Sequence, residues 1–329
     1  MNFENITDDV TDDGPNFYDL DYKPQRHEEH ATMEQFDSPK KIFDYLNSHV
    51  YGHTDYKKAL SLFLWKHKNG HPTGALLVAG ASGSGKTEAI RVLSKIYHNI
   101  HISDGASTVP NGYKGDNTFS NQLSSLDFDD AECPPVLAID EFDKLLSKAT
   151  NPNGWGGSSL LSEMLKFIEG GTYNAGTTDK PRHVDTSKLA VILLGSFSPF
   201  TELEGKLTRG IGFNADIDSR SSSDSPLSTE LINEQLPPEL QGRISQILIL
   251  DPLSEEDYYR ILKDDRYSPA AKLSQEYGLS LSISDEKYHE IAHEAYVSRT
   301  GVRSMNNTIA SYLDEQLFSR PDLREMSIM

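Results

Sequence analysis

The chain has 329 residues, a single cysteine, 36% hydrophobic content and a net charge of −19 from 50 acidic and 31 basic residues. That length allows one large domain and one small one; no apolar run reaches membrane-spanning length, and the acidic, polar N-terminus is not a secretory signal. The lone Cys133 excludes an internal disulfide and a cysteine-based zinc module and fits a reducing cytoplasm, and so acidic a balance is poorly suited to neutralising nucleic-acid backbones.

Residues 1–36 carry ten Asp or Glu against two Lys or Arg, which supplies −8 of the −19. With few large aliphatics, this stretch cannot offset its chain entropy, and residues 1–37 read as an acidic, mostly disordered arm. A solvating tail and a docking tail for a basic partner both fit it. Ser38-Pro-Lys-Lys then reads as an N-cap followed by proline, opening a helix to about Leu46. A second helix is predicted from Asp55 to about Lys68. Ala75–Ala79 is a short apolar run ending at Gly80-Ala81-Ser82-Gly83-Ser84-Gly85-Lys86-Thr87, which fits G-x-x-x-x-G-K-[ST].

That loop predicts nucleotide binding. Its glycines let successive N–H groups face one anion, and the helix that follows, Thr87 to Tyr97, adds its partial positive charge. Lys86 would reach the β- and γ-phosphates of ATP, and the Thr87 hydroxyl would sit on Mg²⁺, with Glu88 beside it in the first turn. A chance Lys-Thr after a glycine turn would need neither the strand before it nor the helix after it.

Further strands are predicted near Asn99–Ile102, Pro135–Ile139, Leu189–Leu194 and Gln246–Leu250. Three of the five strands are continuous apolar runs, as in a sheet covered on both faces, so the fold class is α/β with a doubly wound parallel sheet of five strands. The run Val136-Leu-Ala-Ile-Asp140-Glu141 ends in two carboxylates at the sheet's carboxyl edge, 54 residues after Lys86. Asp140 would order the Mg²⁺ hydration shell, and Glu141 would act as general base on the attacking water. Asp251-Pro-Leu-Ser-Glu-Glu marks a hinge, so 38–250 is the predicted large α/β domain and 251–329 the small helical one, with a short strand-like stretch at Leu279–Ile283.

At this point several motifs fall into one order. Gly80–Thr87, Gly112-Tyr-Lys-Gly115, Ile139-Asp-Glu-Phe-Asp-Lys144, Leu165-Lys-Phe-Ile-Glu-Gly170, Val184-Asp-Thr-Ser-Lys188, Gly210-Ile-Gly-Phe213, Pro238-Glu-Leu-Gln-Gly-Arg243 and Thr300-Gly-Val-Arg303 occur in sequence. Over about residues 38–325 the chain resembles the ClpX branch of the AAA+ ATPases. The resemblance implies an ATP-dependent hexameric ring that unfolds proteins through a central pore. It implies roles as well. Val50 and Tyr51 would border adenine, Arg303 would contact nucleotide as the sensor-2 arginine, and Arg243 would reach a neighbour's γ-phosphate. Tyr113 would grip substrate in the pore, and Ile211, Gly212 and Phe213 would dock a ClpP-like peptidase ring.

The departures are Lys114, where the family carries a small aliphatic, and the acidic arm, where typical ClpX has a zinc module. The chain also ends earlier than typical members, which suggests a truncated final strand. Asn153-Gly-Trp155-Gly-Gly157 falls where a second pore loop is expected, Lys180-Pro-Arg182-His183 where a basic loop lies at the pore entrance, and Ser196 in the sensor-1 region. The first also fits a loop-packing Trp and the second a solvated charge cluster, while the Ser196 hydroxyl could touch the γ-phosphate or water. A remodelling chaperone without a peptidase, or a DNA-associated switch or loader, stays open as a different function. His289-Glu-Ile-Ala-His293 satisfies a zinc-protease pattern, with Glu315 conceivable as a third ligand. However, Tyr288, Ile291, Ala292, Ala295 and Tyr296 on the same helix mark a core-facing stripe, so these histidines read as helix-surface residues.

Overall fold

A computed structural model describes residues 36–112, 115, 117–151, 156–177, 180–197 and 227–329. The first helices are α1 (Pro39–His49) and α2 (Thr54–Lys68). The Ser38 side chain caps α1 by accepting the Lys41 N–H, with proline at the first helical position.

Five strands form one parallel sheet: β1 (Ala75–Gly80), β2 (Ile100–Asp104), β3 (Val136–Asp140), β6 (Ala190–Gly195) and β7 (Ile244–Leu250). Their spatial order is β2-β3-β6-β1-β7, which puts β1 between β6 and β7. Alternate residues of the central strands feed two separate cores. Leu77, Leu137, Ile139, Val191 and Leu193 enter one, and Leu76, Val78, Val136, Ala138 and Ile192 the other. A strand apolar at every position is what two covered faces require.

Helices α1, α2 and α3 (Lys86–Ser94) cover one face. The other carries α4 (Phe119–Ser124), α5 (Phe142–Thr150), α6 (Gly157–Glu169), α7 (Thr229–Gln235) and α8 (Pro238–Gln241). β7 begins two residues earlier than its apolar run suggests. It lies at the sheet's edge, where exposed Ser245 and Gln246 are tolerated.

An unpredicted hairpin, β4 (Thr172–Thr177) with β5 (Lys180–Asp185), pairs antiparallel and buries Tyr173, Ala175 and Val184 in the first core. The Lys180–His183 run expected as a loop is therefore strand, and the Arg182 guanidinium donates to the Ser124 and Leu126 carbonyls, a local structural use of that charge.

Beyond Asp251, α9 (Glu255–Lys263), α10 (Pro269–Tyr277), α11 (Asp285–Ser298) and α12 (Val302–Ser319) surround a third core of Ile261, Leu262, Ile291, Met305, Ile309 and Leu313 among others. Ser254 and Asp257 make a reciprocal capping box that starts α9 where the hinge motif ends. The strand-like stretch is β8 (Ser280–Ile283), and β9 (Glu325–Ile328) pairs with it in parallel. The final strand is present as these four residues, with Ile328 buried and β8 to pair with. Tyr296 is also corrected, being 49% exposed, whereas Ile291, Ala292 and Ala295 are buried.

Candidate functional site

The carboxyl ends of β1 and β3 and the start of α12 meet at a cavity of about 450 Å³, within the size range of small-molecule sites. The left-handed Gly85 starts α3 directly after the loop, so the helix N-terminus opens on the cavity. Lys86 is 7% exposed, and its ammonium donates to the Gly80 and Ala81 carbonyls at 2.6 and 2.8 Å and, at 3.4 Å, to Ser84 Oγ. Burial pushes this ammonium below the usual lysine value, against the pull of Asp140 and Asp143. Its backbone carbonyl accepts from the buried Tyr56 hydroxyl at 2.8 Å, which pins the first turn of α3 to α2.

Thr87 Oγ1 donates to Asp140 Oδ2 at 2.8 Å, so the two residues expected near a metal touch one another. Asp140 Oδ1 accepts the Glu141 N–H, and Glu141 itself is left-handed at φ 52°, the turn that ends β3 and starts α5. Its carboxylate pairs with Lys144 at 2.9 Å. Asp143, one turn on, accepts from both the Ser196 hydroxyl at 2.7 Å and the Ser196 N–H. Asp143 was missed in the sequence reading, although it stands in the same Asp-Glu-Phe-Asp run. Ser196 is brought to the cavity by the end of β6, as its place in the sequence suggested.

The other end of the cavity is apolar and comes from both sides of the hinge. Val50 and Tyr51 line it with Leu253, Ile261, Tyr267 and Val302. The Tyr51 hydroxyl donates to Asp257 at 2.9 Å, its ring stands edge-on to Tyr267 with centroids 5.6 Å apart, and the Tyr267 hydroxyl donates to the Asn47 carbonyl at 2.7 Å. Burial works against the charged form of Asp257, but hydrogen bonds from Ser254 and Tyr51 outweigh it and hold the carboxyl below the usual range.

Arg303, exposed on the first turn of α12, lines the cavity as expected. Just ahead of it, Gly301 lies against Gly83. A Cβ on Gly301 would stand 2.7 Å from the Gly83 Cα, and both glycines are left-handed. The glycine loop and the helix carrying Arg303 thus touch backbone to backbone, a contact only glycine permits. The cavity lining counts five cations (Lys86, Arg91, Lys144, Lys272, Arg303) against four acids (Glu88, Asp140, Glu141, Asp143), an excess of positive charge in a chain that is strongly negative. It suits an anion with an apolar body.

Arg243 is not brought to this cavity. Its guanidinium pairs with Glu169 and donates to the Glu239 carbonyl. Tyr113, Lys114, Trp155 and the Ile211-Gly212-Phe213 tripeptide lie outside the described residues. His289 stacks on Tyr259, while His293 pairs with Glu255 at 3.2 Å; both are exposed, and neither belongs to a cluster of three ligand atoms among the described residues. No helix among those residues is long and apolar enough to cross a membrane.

A glycine loop on β1, paired acids closing β3 and a parallel sheet with β1 near its centre define a P-loop nucleotide-binding protein of α/β class. The sequence profile of the AAA domain family (Cdc48 subfamily) matches residues 71–247, and the chain belongs to that family. It is similar to the ATP-dependent Clp protease ATP-binding subunit ClpX 2 of Wolinella succinogenes, with 26% identity over 94% of this chain and 84% of that protein. It is also similar to ClpX proteins of Bacteroides fragilis (24% identical, 88% of this chain and 79% of theirs) and Treponema denticola (25%, 87% and 78%). This is a ClpX-like AAA+ ATPase by family.

Proposed function

We propose that the chain hydrolyses ATP in a hexameric ring to unfold or remodel other proteins by threading them through a central pore. The observation that carries this reading is the division of the predicted site. Lys86, Thr87, Asp140, Glu141 and Arg303 face one cavity or its rim, while Arg243 stands apart, held by Glu169 in the same chain. An arginine that cannot act in its own site is available to a neighbour's, where such a finger contributes about 10³–10⁵ in rate.

In this reading, residues 38–250 are the ATPase body and 251–329 the lever. Thr87 and Asp140 offer hydroxyl and carboxylate oxygens 2.8 Å apart, a hard donor set that fits Mg²⁺. The ion, when bound, would neutralise charge on the β- and γ-phosphates. Glu141 takes a proton from the attacking water as the new P–O bond forms. The bond from the γ-phosphorus to its bridging oxygen breaks, and its electron pair leaves with ADP. Loss of the γ-phosphate removes what Arg303 contacts, and the lever shifts about the Gly83–Gly301 contact. Tyr113 would pass that motion to a polypeptide, and Ile211–Phe213 would dock a ClpP-like peptidase ring, in keeping with relatives named as ATP-binding subunits of a Clp protease.

The test is the solution mass of Glu141→Gln protein by light scattering, with and without ATP and Mg²⁺. A nucleotide-dependent sixfold mass is expected. A monomer with ATP demonstrably bound would remove the pore and the trans arginine together.

A further inference from the structure

The sheet's other edge gathers a second set of ligand-type side chains. His98 lies in the turn after α3, and Asp130 and Cys133 in the loop ahead of β3. One ring nitrogen, one carboxylate oxygen and the thiol sulphur all lie within 4.8 Å of one another. His98 Nε2 and Asp130 Oδ2 are 2.7 Å apart. Cys133 comes three residues before β3 begins and Asp140 is the residue that ends it, so the five-residue strand, about 16 Å long, separates this cluster from the nucleotide cavity.

The loop is fixed in advance. Asp130 Oδ1 accepts the Glu132 and Cys133 N–H groups, each at 2.9 Å, which leaves Oδ2 as the atom beside His98. Asn99 donates to the Asp127 and Cys133 carbonyls at 2.6 and 2.7 Å, and the Tyr97 hydroxyl donates to the Pro134 carbonyl at 2.6 Å. Two ligands therefore sit on a cross-linked loop with little left to order. The third, His98, has a side chain 72% exposed and retains rotamer freedom. The Cys133 N–H foremost, with His98 and the Glu132 N–H adding to it, holds the Asp130 carboxyl below the usual range. Exposed Asp129 and Glu132 flank it and add negative potential.

We infer that His98, Asp130 and Cys133 form a mononuclear site for a borderline divalent cation of the zinc class, with a fourth position open to water. A single cysteine cannot build a multi-cysteine module, but a mixed sulphur, nitrogen and oxygen site needs only one. Thiolate and imidazole together disfavour Mg²⁺ and Ca²⁺, and three protein ligands with an open position are a recurrent zinc arrangement. Bond lengths of about 2.0–2.3 Å in a tetrahedron put donors roughly 3.3–3.7 Å apart, so His98 and Asp130 must part by under about 1 Å, a movement the exposed imidazole can make. On binding, the cation would take the place of the Cys133 thiol proton, which passes to solvent. The bound ion would staple the far end of α3 to the start of β3, the two elements whose other ends carry Lys86 and Asp140. Nothing here depends on the unfoldase reading.

Co²⁺ titrated into the nucleotide-free full chain tests it. The expected result is one equivalent bound with intense tetrahedral visible bands and a near-ultraviolet thiolate-to-cobalt band, all bleached by one equivalent of Zn²⁺. Cys133→Ala should abolish the near-ultraviolet band. His98→Ala, a surface change that leaves the fold intact, should weaken Co²⁺ binding about tenfold or more. Asp140→Asn should leave the bands unchanged, which separates this site from oxygen ligation at the nucleotide cavity. Absence of the thiolate band at stoichiometric Co²⁺, or a band of equal strength in His98→Ala, overturns the proposal.

Discussion

The two ends of the nucleotide cavity are built by different rules. The phosphate-facing end is made of short sequence runs: residues 82–88, the acids at 140–143, and Ser196 closing β6. Its polar groups satisfy one another at close range, Lys86 on its own loop and Thr87 on Asp140. The hinge end is assembled from residues some two hundred positions apart, Tyr51 with Asp257 and Asn47 with Tyr267. The first end sets what chemistry the site can do. The second is where, on the function proposed above, the helical part of the chain would respond to it.

The largest effect should come from the chemical end. Glu141→Gln removes the proposed base without removing a nucleotide contact, so kcat should fall by about 10²–10⁴-fold while nucleotide affinity stays within a few-fold. Phosphate release together with titration of a fluorescent nucleotide checks both halves. A parallel loss of affinity would show that Glu141 positions nucleotide rather than water.

Gly301→Ala attacks a place where the glycine loop and the start of α12 touch. The new Cβ meets the Gly83 Cα at 2.7 Å and holds a left-handed φ of 71°. Nucleotide affinity should drop about tenfold, because a non-glycine residue in this glycine-only region (φ 71°, ψ −157°) costs about 1–3 kcal/mol and the loop must also shift. Gly278→Ala is the control. Its φ is 63°, with nothing within 4 Å of the added carbon, so it should lower stability by about 1 kcal/mol and leave nucleotide binding alone. An equal loss of affinity in Gly278→Ala would mean that the effect is not specific to the contact with Gly83.

This division also explains what could be read in advance. Lys86, Thr87, Asp140 and Glu141 are legible because phosphate chemistry demands particular residue types at fixed local spacing. The sheet was legible because strands buried on both faces are apolar throughout. The β4–β5 hairpin was not, since Thr172–Asp185 is largely polar and reads as loop until Tyr173 and Val184 find the core. Nor was the partnership of Gly83 with Gly301, for nothing in either neighbourhood names the other. The His98, Asp130 and Cys133 grouping was hidden for the same reason, although its members are only 35 residues apart at most.

Tyr51→Phe tests the hinge end more gently. It removes the hydrogen bond to Asp257 and keeps the ring against Tyr267, so the expected loss is about 0.5–1.5 kcal/mol, roughly two- to tenfold in nucleotide affinity. Combined with Asp257→Asn, the double change should cost less than the sum of the two, since the residues share one bond. Strict additivity would uncouple them and leave Tyr51 as a packing residue.

The subtlest readout, a difference in slope with pH, concerns Lys57, which is 2% exposed and supports the hinge end from behind. Its ammonium donates to Asn47 Oδ1 at 2.7 Å and to the Val50 carbonyl at 2.9 Å, both neutral acceptors, and burial brings its pKa down to about 8. Between that value and the ordinary lysine value near 10.5, the folded chain holds fewer protons here than the unfolded one. Stability from this group therefore rises with pH across that window, by at most about 1.4 kcal/mol per pH unit, and is lost as pH falls through 8. Raised tyrosine and Cys133 values act in the opposite sense above pH 9, so the slope must be read as a difference between proteins. Urea unfolding of wild type and Lys57→Met from pH 7.5 to 9.5 isolates it: the wild-type curve should climb relative to the variant. Parallel curves would mean that the two hydrogen bonds keep the ammonium charged throughout, making Lys57 a permanent cationic clasp on the segment that carries Val50 and Tyr51.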